Sequence, residues 1–336
     1  MSRTPIGIAG FSGYSGAELI QILSRHPHAE PILLEHREAQ EPPRPIGYAG
    51  PRRMPCNAES IRSAGIKGVL LATAPEISME LAPAFLDAGA KVVDLSGAFR
   101  LGTTANFQRW YKEDHTQPGL LAEAVYSIPE FHRHRVPGAR LISNPGCYPT
   151  AANLALKPLL DAGAIDRSAG IVCDAKSGVS GAGRKATLKT HFCEVTDNFS
   201  VYSIMDHRHV PEVLGTSGLE EREFTFTAHL LPIDRGILET IYFRASEHIH
   251  SAQHIVDIYL QAYHDEPFVR VYPPGGIPEL RVVARTNFCD LAVKYDANTR
   301  RVVVVSLIDN LVKGAAGQAM QNLNLALGWT ETAGLL

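Results

Sequence analysis

The stretch TPIGIAGFSGYSGAELIQILSRHP, residues 4–27, decides the fold of this chain. Its apolar residues 6–9 predict a short buried strand, and leucines four residues apart predict a helix over 17–25 that Pro27 ends. Gly10, Gly13 and Gly16 lie between strand and helix in the spacing G-x-x-G-x-x-G. A plain glycine-rich turn would give the same letters. The strand–loop–helix context favours a nucleotide-binding unit.

Glycines suit such a loop because the backbone must turn tightly and approach a pyrophosphate at a helix N-terminus. Hydroxyl groups in the loop add hydrogen-bond donors. The candidate cofactor-binding residues here are therefore Gly10, Ser12, Gly13, Tyr14, Ser15 and Gly16.

The residues after the second predicted strand bear on which dinucleotide binds. Glu35 could accept a ribose 2′-hydroxyl, which favours NAD, whereas Arg37 could pair with a 2′-phosphate, which favours NADP. His36 could do either, and all three could equally be solvated loop residues. The residues alone leave this choice open.

The first half of the chain continues the alternation of strands and helices. Apolar runs at 32–34, 69–72, 92–95 and 140–143 predict strands, and the apolar positions 81–86 mark a helix. Strands that alternate with helices predict an α/β fold with a doubly wound parallel sheet of the Rossmann type. The Pro/Gly/Arg-rich piece 42–55 is interpreted as a surface excursion.

The sequence pattern changes after about residue 165. Residues 224–231, 237–243 and 302–308 are rich in β-branched and apolar side chains and predict strands, with a helix over 250–263 between them. This pattern predicts an α+β domain with a mixed or antiparallel sheet. Helices are also expected over 151–160 and 313–327.

Composition excludes several classes of protein. The chain has 336 residues, 45% of them hydrophobic and 20% charged, with a net charge of -3, so two ordinary globular domains are expected. This charge gives no reason to expect nucleic acid or membrane as a partner. Five cysteines without a C-x-x-C pair argue against a disulfide framework and a metal site. We find no secretory signal or transmembrane stretch, and expect a cytoplasmic protein.

Cys147 lies in the segment NPGCYPT, residues 144–150, between the strand ending at Ser143 and a helix expected to begin after Pro149. A thiol at a helix N-terminus meets the positive end of the helix dipole, which favours the thiolate. This is the setting of a nucleophile, although a small buried thiol is the commoner fate of a free cysteine.

Two further segments carry candidate chemistry. His207-Arg208-His209 places two imidazoles and a guanidinium together before Pro211 and Glu212, and can supply an acid/base, an oxyanion donor and an anion anchor. It could also be a polar turn before a helix. The glycine-rich loop 177–185, SGVSGAGRK, suits an anionic substrate or is a linker.

Together these segments resemble the N-acetyl-gamma-glutamyl-phosphate reductase family of the wider semialdehyde dehydrogenase group. The matching segments run from end to end in the family's order. They are GFSGYSGAEL at 10–19, DLSGAFRL at 94–101, VYSIPE at 125–130, SNPGCYPTA at 143–151, SGVSGAGR at 177–184, HRHVPE at 207–212, HLLPIDRGILET at 229–240 and NLVKGAAGQAMQNLN at 310–324.

The resemblance implies NADPH-dependent reduction of N-acetyl-glutamyl 5-phosphate to the semialdehyde, in arginine biosynthesis. It implies an NADP(H)-binding domain over 1–148, to which a C-terminal helix over 312–336 returns. A substrate and dimerisation domain over 149–311 would follow, in a homodimer or homotetramer.

The resemblance also implies roles for residues. Cys147 becomes the nucleophile, and His209 rather than His207 is expected to be the acid/base, because Glu212 could orient its ring. Further cofactor-binding residues would be Arg37, Ser177, Gly178 and Asn310, with Lys313 near the nicotinamide side. Substrate-binding residues would be Arg100, Asn144, Ser180, Arg184, Arg208 and Glu212.

The sequence departs from the family pattern at two places that flank a dinucleotide, His36-Arg37 and residues 73–76. Cofactor choice is therefore less determined than the chemistry. A branch of the family that acts on carrier-bound aminoadipate in lysine biosynthesis is an alternative, as is aspartate-semialdehyde dehydrogenase. A catalytically silent nucleotide-binding regulator would be expected to lack the cysteine or the histidines, and this chain has both.

Overall fold

The computed structural model describes residues 3–36 and 50–336. The chain divides into two compact units, one of Met1–Pro145 with Ala315–Leu336 and one of Gly146–Gly314. Cys147 and Tyr148, which the sequence analysis placed at the end of the first domain, belong to the second unit.

The first unit contains one seven-stranded sheet. Its strands are β1 (Thr4–Ala9), β2 (Ala29–Glu35), β3 (Arg52–Pro55), β4 (Gly68–Leu71), β5 (Lys91–Asp94), β6 (Val125–Tyr126) and β7 (Leu141–Ser143). Its helices up to this point are α1 (Tyr14–Arg25), α2 (Ala58–Ser63), α3 (Pro75–Asp87), α4 (Thr104–Tyr111), α5 (Pro118–Glu123) and α6 (Pro129–His132).

The strand order in this sheet is β3-β2-β1-β4-β5-β7-β6, and every neighbouring pair is parallel. The prediction of a parallel, doubly wound sheet is confirmed. The interpretation of 42–55 as a surface excursion was wrong for its last residues, because Arg52–Pro55 pair with β2 as a strand. The composition of this polar, proline-ended segment does not predict a strand. The segment becomes one because its backbone hydrogen-bonds to β2.

The second unit also contains seven strands, which form a mixed sheet. They are β8 (Ile171–Gly178), β9 (Ser200–Tyr202), β10 (Phe224–Leu231), β11 (Ile237–Arg244), β12 (Val269–Val271), β13 (Cys289–Asp296) and β14 (Arg301–Ile308), in the order β12-β13-β14-β11-β8-β10-β9. Its helices are α7 (Cys147–Asp161), α8 (Phe192–Val195), α9 (Val210–Ser217), α10 (Ala252–Tyr263) and α11 (Leu280–Val283). The predicted mixed sheet is confirmed.

Short 3-10 helices occupy connecting segments of both units. They are Arg133–Arg135, Arg167–Ala169, Val179–Ala182, Leu188–Thr190 and Glu221–Glu223.

One face of the second sheet is buried and the other is open. Along β11 the alternate residues Ile237, Glu239, Ile241 and Phe243 are buried, whereas Tyr242 is exposed. Helix α7 packs against β11 and β14 on the buried side. Buried and more exposed residues alternate in this way along a strand when only one face of its sheet is covered.

The C-terminal segment from Ala315 onward belongs to the first unit. A π-helical turn, Val312–Ala316, leads into helix α12 (Gly317–Ala326). The glycine at position 68 in β4 lets α12 approach closely, since an added Cβ there would lie 2.7 Å from Cδ1 of Leu323. Within residues 3–36 and 50–336, no helix is both long enough and apolar enough to cross a membrane.

Candidate active site

Helix α7 begins at Cys147, with Gly146 as its N-cap residue in an extended conformation. The helix therefore starts four residues before the predicted range of 151–160, and Pro149 lies inside its first turn. Proline is tolerated there because the first N–H groups of a helix have no intrahelical acceptor. Cys147 is half-buried and sits within this first turn, where the aligned N–H groups favour an anionic sulfur.

His209 lies directly beside this helix start. A Cβ added to Gly146 would come within 2.6 Å of the Nε2 atom of His209. Such a distance is prohibitive, so only glycine allows the imidazole to approach the residue that precedes Cys147. On the other side of the cysteine, a Cβ added to Gly314 would lie 2.6 Å from the Cβ of Cys147. Two glycines thus create the space for nucleophile and imidazole.

The second imidazole, His207, has a defined protonation state. Its Nδ1 accepts a hydrogen bond from the backbone N–H of His209 at 3.2 Å. Burial, assisted by the charge of Arg208, lowers the pKa of His207 to about 4. The ring is therefore neutral at neutral pH, with its proton on Nε2, and can act there as a donor.

The two rings pack together in a turn rather than an extended segment, with His209 as the N-cap residue of α9. Their centroids lie 4.8 Å apart. Three aromatic rings surround His207, with centroids 5.4–5.6 Å from the centroid of its ring: Tyr148, Tyr202 and Phe226. The rings of Tyr148 and Phe226 also contact each other, at a centroid distance of 5.3 Å. An apolar wall of this kind excludes water and keeps His207 neutral.

The two tyrosines are hydrogen-bonded to each other. Their hydroxyl oxygens are 3.0 Å apart, and burial raises the pKa of Tyr202 to about 12 and also raises that of Tyr148. Both are therefore neutral phenols at physiological pH. No sequence pattern points to Tyr202 or Phe226 as members of this cluster, and the one signal for Tyr148 is its position next to Cys147.

Glu212 makes a contact that no sequence pattern predicted. Its Oε2 accepts a hydrogen bond from the backbone N–H of Gly146 at 2.9 Å, and the residue is buried. The carboxylate thus caps the N-terminus of α7, one residue before Cys147, while Glu212 itself lies in the first turn of α9, three residues after His209. It links the two helices that bear the candidate nucleophile and the candidate acid/base.

The loop after β8 is held by an asparagine. Nδ2 of Asn310 donates to Oγ of Ser180 at 3.0 Å, and its Oδ1 accepts from the N–H of Gly236 at 2.7 Å. Ser177 donates to the carbonyl of Gly178. Gly178 permits a close backbone approach, because an added Cβ would be 2.7 Å from backbone atoms of Arg235.

Cations near these segments differ in exposure. Arg184 and Arg208 are both exposed, as an anion-binding side chain in an open site would be. Lys313 is fully buried, with its Nζ 5.7 Å from the centroid of the Phe268 ring.

The glycine loop of the first unit has the geometry of a dinucleotide loop. Gly10 has a φ of +77°, and an added Cβ would lie 2.2 Å from the carbonyl oxygen of Ala72. An added Cβ on Gly16 would lie 2.5 Å from the carbonyl oxygen of Gly10. Gly13 is the N-cap residue of α1, while Ser12 and Tyr14 are exposed. The backbone is therefore free to meet a phosphate at a helix N-terminus.

At the end of β2, Glu35 is paired with a residue that the sequence analysis missed. Nη1 of Arg53 lies 2.8 Å from Oε1 of Glu35. The only sequence signal was an arginine in a segment interpreted as a surface excursion. Arg37, the predicted partner of a 2′-phosphate, lies outside the described residues.

Arg100 supports the turn that ends β7. Its Nε donates to the carbonyl of Asn144 at 2.9 Å and its Nη2 to the carbonyl of Leu95 at 2.7 Å. Asn144 is fully buried and donates from Nδ2 to the carbonyl of Ala315 at 3.2 Å. Both predicted substrate binders thus have structural contacts within the first unit.

Comparisons with known proteins agree with the division of the chain into two units. Residues 5–139 match the family model "Semialdehyde dehydrogenase, NAD binding domain" and residues 147–310 match "Semialdehyde dehydrogenase, dimerisation domain". Two similar relatives are named N-acetyl-gamma-glutamyl-phosphate reductase. The one from Symbiobacterium thermophilum is 46% identical over 98% of this chain and 97% of its own length; the one from Bacillus subtilis is 44% identical with the same coverage.

Solved structures show the same fold at low identity. An aspartate semialdehyde dehydrogenase II of Vibrio cholerae superposes with a TM-score of 0.72 at 17% identity, covering 98% of this chain and 99% of that one. An aspartate semialdehyde dehydrogenase of Candida albicans gives a TM-score of 0.67 at 15% identity, with 96% and 98% coverage. These similarities concern the fold alone.

Proposed function

The chain belongs to the semialdehyde dehydrogenase family, as an N-acetyl-gamma-glutamyl-phosphate reductase, and on that premise we propose that Cys147 is its nucleophile and His209 its acid/base. The activity is that of an oxidoreductase in arginine biosynthesis. The observation that carries the proposal is the contact between Nε2 of His209 and Gly146, the residue before Cys147.

Cys147 attacks the acyl carbon of N-acetyl-glutamyl 5-phosphate, the carbon–oxygen bond to phosphate breaks, and phosphate leaves with its electron pair. The product is a thioester on the sulfur. The N-terminus of α7 stabilises the thiolate before attack, and backbone N–H groups of its first turn can donate to the developing oxyanion. A thioester accepts hydride more readily than a carboxylate, which explains why a cysteine is required.

A nicotinamide dinucleotide, when bound, would supply the hydride. His209 then donates a proton to the former carbonyl oxygen and takes it back as the carbon–sulfur bond breaks, which releases the aldehyde and regenerates the thiolate. Neutral His207, with its proton on Nε2, serves as a hydrogen-bond donor rather than as the base, because its pKa is about 4. Support for this division also comes from the backbone hydrogen bond that occupies Nδ1 of His207.

The residues of the glycine loop fit a dinucleotide, because side chains at Gly10 and Gly16 would fill the cradle. We propose NADP(H) as the cofactor. The residues that would hold the pyrophosphate are Gly10, Ser12, Gly13, Tyr14, Ser15 and Gly16. Ser177, Gly178 and Asn310 remain proposed cofactor contacts. Arg37→Ala should raise KM for NADP much more than for NAD; equal effects would remove Arg37 from the phosphate site.

For the substrate we propose that exposed Arg184 and Arg208 bind its anionic groups, since guanidinium groups bind phosphate and carboxylate with paired hydrogen bonds. Arg100, Asn144 and Ser180 remain proposed substrate contacts, while Glu212 would act by holding the start of α7. The cytoplasm is the proposed compartment, because all five cysteines are free thiols.

We propose a homodimer, alone or within a tetramer, that forms through the open face of the second sheet. Val172 and Tyr242 on that face are 42% and 43% exposed, and Phe199 packs beside His229 at its edge. Exposed apolar residues on a sheet, in a region that matches a dimerisation domain, fit a second copy of the chain. Tyr242→Glu should lower the mass measured by sedimentation, whereas Leu260→Glu, on α10, should not.

The proposed function is tested in the reverse direction. N-acetylglutamate semialdehyde, phosphate and NADP should give NADPH, detected by absorbance. Omitting phosphate should stop turnover after one acyl group per active site has formed, because the thioester then has no acceptor. Steady turnover without phosphate would contradict acyl transfer to Cys147.

A further inference from the structure

A buried aspartate organises the turn that passes Cys147. Asp309 directly follows β14, and its side chain is fully buried. Its Oδ1 accepts hydrogen bonds from the backbone N–H groups of Leu311 at 2.8 Å and of Val312 at 3.2 Å. The carboxylate therefore caps the start of this turn in the way that an aspartate caps the N-terminus of a helix.

The backbone of the same residue takes part in the register of the turn. The carbonyl oxygen of Asp309 accepts a hydrogen bond from the N–H of Gly314 at 2.9 Å. This bond spans five residues, which is the spacing of a π-helix rather than of an α-helix, and such single turns are frequent at functional sites. The five-residue spacing decides which residue of the turn comes to face Cys147.

The residue that faces Cys147 has to be a glycine. A Cβ added to Gly314 would lie 2.6 Å from the Cβ and 3.2 Å from the Cα of Cys147. A shift of the turn by one residue would bring Lys313 or Ala315 to this contact, and each of these has a Cβ. The register that Asp309 stabilises therefore keeps side chains away from the cysteine.

The second carboxylate oxygen of Asp309 serves other segments. Its Oδ2 accepts a hydrogen bond from the backbone N–H of Arg285 at 2.6 Å and lies 3.4 Å from Nη1 of Arg235. Arg285 has a φ of +62°, a conformation that residues other than glycine seldom adopt. Asp309 thus also stabilises neighbouring loops, and a test has to separate this contribution from its effect on the turn.

We propose that Asp309 is a positioning residue for the nucleophile. By capping the turn over 309–314 it holds Gly314, rather than a residue with a side chain, against Cys147. Asp309 acts on the thiol through this glycine and takes no part in the chemical steps itself. The inference rests on the proposed function in one respect, the role of Cys147 as the nucleophile.

The test compares two substitutions that differ by a single oxygen atom. Asp309→Ser and Asp309→Ala both remove the carboxylate oxygen that contacts Arg235 and Arg285. Only serine keeps a side-chain oxygen that can accept hydrogen bonds from the N–H groups of Leu311 and Val312. The two variants therefore share the loss at the arginines and differ in the cap of the turn.

Two rates are measured for each variant. One is kcat, and the other is the rate at which iodoacetamide alkylates Cys147, followed on its peptide by mass spectrometry as a function of pH. We expect Asp309→Ala to lower both rates at least about tenfold at neutral pH, because the uncapped turn can shift a side chain against the thiol. Asp309→Ser should keep both within about threefold of wild type. Gly314→Ala should reproduce the loss, and thermal unfolding checks the fold of every variant.

Equal losses in Asp309→Ala and Asp309→Ser overturn the proposal, because the contacts with the two arginines would then account for them. Wild-type rates in both variants overturn it as well. If Asp309→Ala does not fold, the serine variant decides: rates near wild type support the proposal, and a loss as large as that of Gly314→Ala contradicts it. Turnover that survives in Cys147→Ser would overturn the proposed function instead, while the alkylation rates would still show whether Asp309 positions this cysteine.

Discussion

Nε2 of His209 lies so close to Gly146 that a methyl group on that glycine would come within 2.6 Å of the imidazole. Since Gly146 immediately precedes Cys147, this glycine sets the distance between the proposed acid/base and the proposed nucleophile. The contact joins residues 63 positions apart in sequence, on α7 and at the start of α9.

Gly146→Ala should displace His209 and lower kcat at least about a hundredfold, the usual cost of losing a general acid/base. Gly215→Ala is the matched control, because an added Cβ there meets nothing within 4 Å. Steady-state kinetics of both variants check the prediction. Equal, small effects would show that His209 does not need its place against Gly146.

Cys147→Ser should abolish turnover while cofactor binding and fold remain, because a serine hydroxyl at neutral pH is a far weaker nucleophile than a thiolate. Cys193→Ser, at an exposed cysteine, should keep wild-type kinetics. Initial rates and dinucleotide binding by fluorescence provide the measurement. A serine variant with more than a small fraction of wild-type rate would exclude Cys147 as nucleophile.

The two histidines should separate in their pH dependence. His209→Asn should lower kcat at least about a hundredfold and remove a limb of the pH–rate profile. His207→Asn should mainly raise KM, because His207, with a pKa of about 4, is already neutral across the working pH range. If His207→Asn removes the limb and His209→Asn keeps it, the assignment is reversed.

The buried carboxyl group of Glu239 should make the folded state less stable as the pH rises. It is fully buried on β11, and burial raises its pKa well above the ordinary value of 4.5. Below pH 4.5 folded and unfolded states both carry the proton. At higher pH the folded state alone keeps it, so stability falls by up to about 1.4 kcal/mol per pH unit until the folded pKa is reached.

Glu239→Gln should remove that contribution, so the free energy of unfolding of the variant should gain on that of the wild type as pH rises from 5 to 8. Glu247→Gln, at a side chain that is 94% exposed, should keep the wild-type slope. Urea unfolding followed by circular dichroism measures both. Parallel curves for wild type and Glu239→Gln would show that Glu239 is ionised in the fold.

Local pattern was sufficient for most elements of the fold. The alternation of apolar runs and helical spacing predicted β1, β2, β4, β5 and β7 in a parallel sheet, and β10, β11 and β14 in the second unit. It failed at β3, because the four residues Arg52–Pro55 have no apolar alternation and become a strand only by pairing with β2. The local pattern also placed the start of α7 too late. Pro149 was interpreted as marking the helix start, but proline is tolerated throughout the first turn and α7 begins two residues before it.

The sequence by itself determined the kinds of chemistry: a glycine loop after a strand, a cysteine near a helix start, and two histidines around an arginine. These follow from residue type and from neighbours a few positions away. Only the tertiary structure decided which groups meet. Gly146 against His209, Glu212 at the cap of α7, and Arg53 on Glu35 and Phe11 each join residues 18 or more positions apart. Such contacts depend on how strands pair and helices pack, and no local pattern records that.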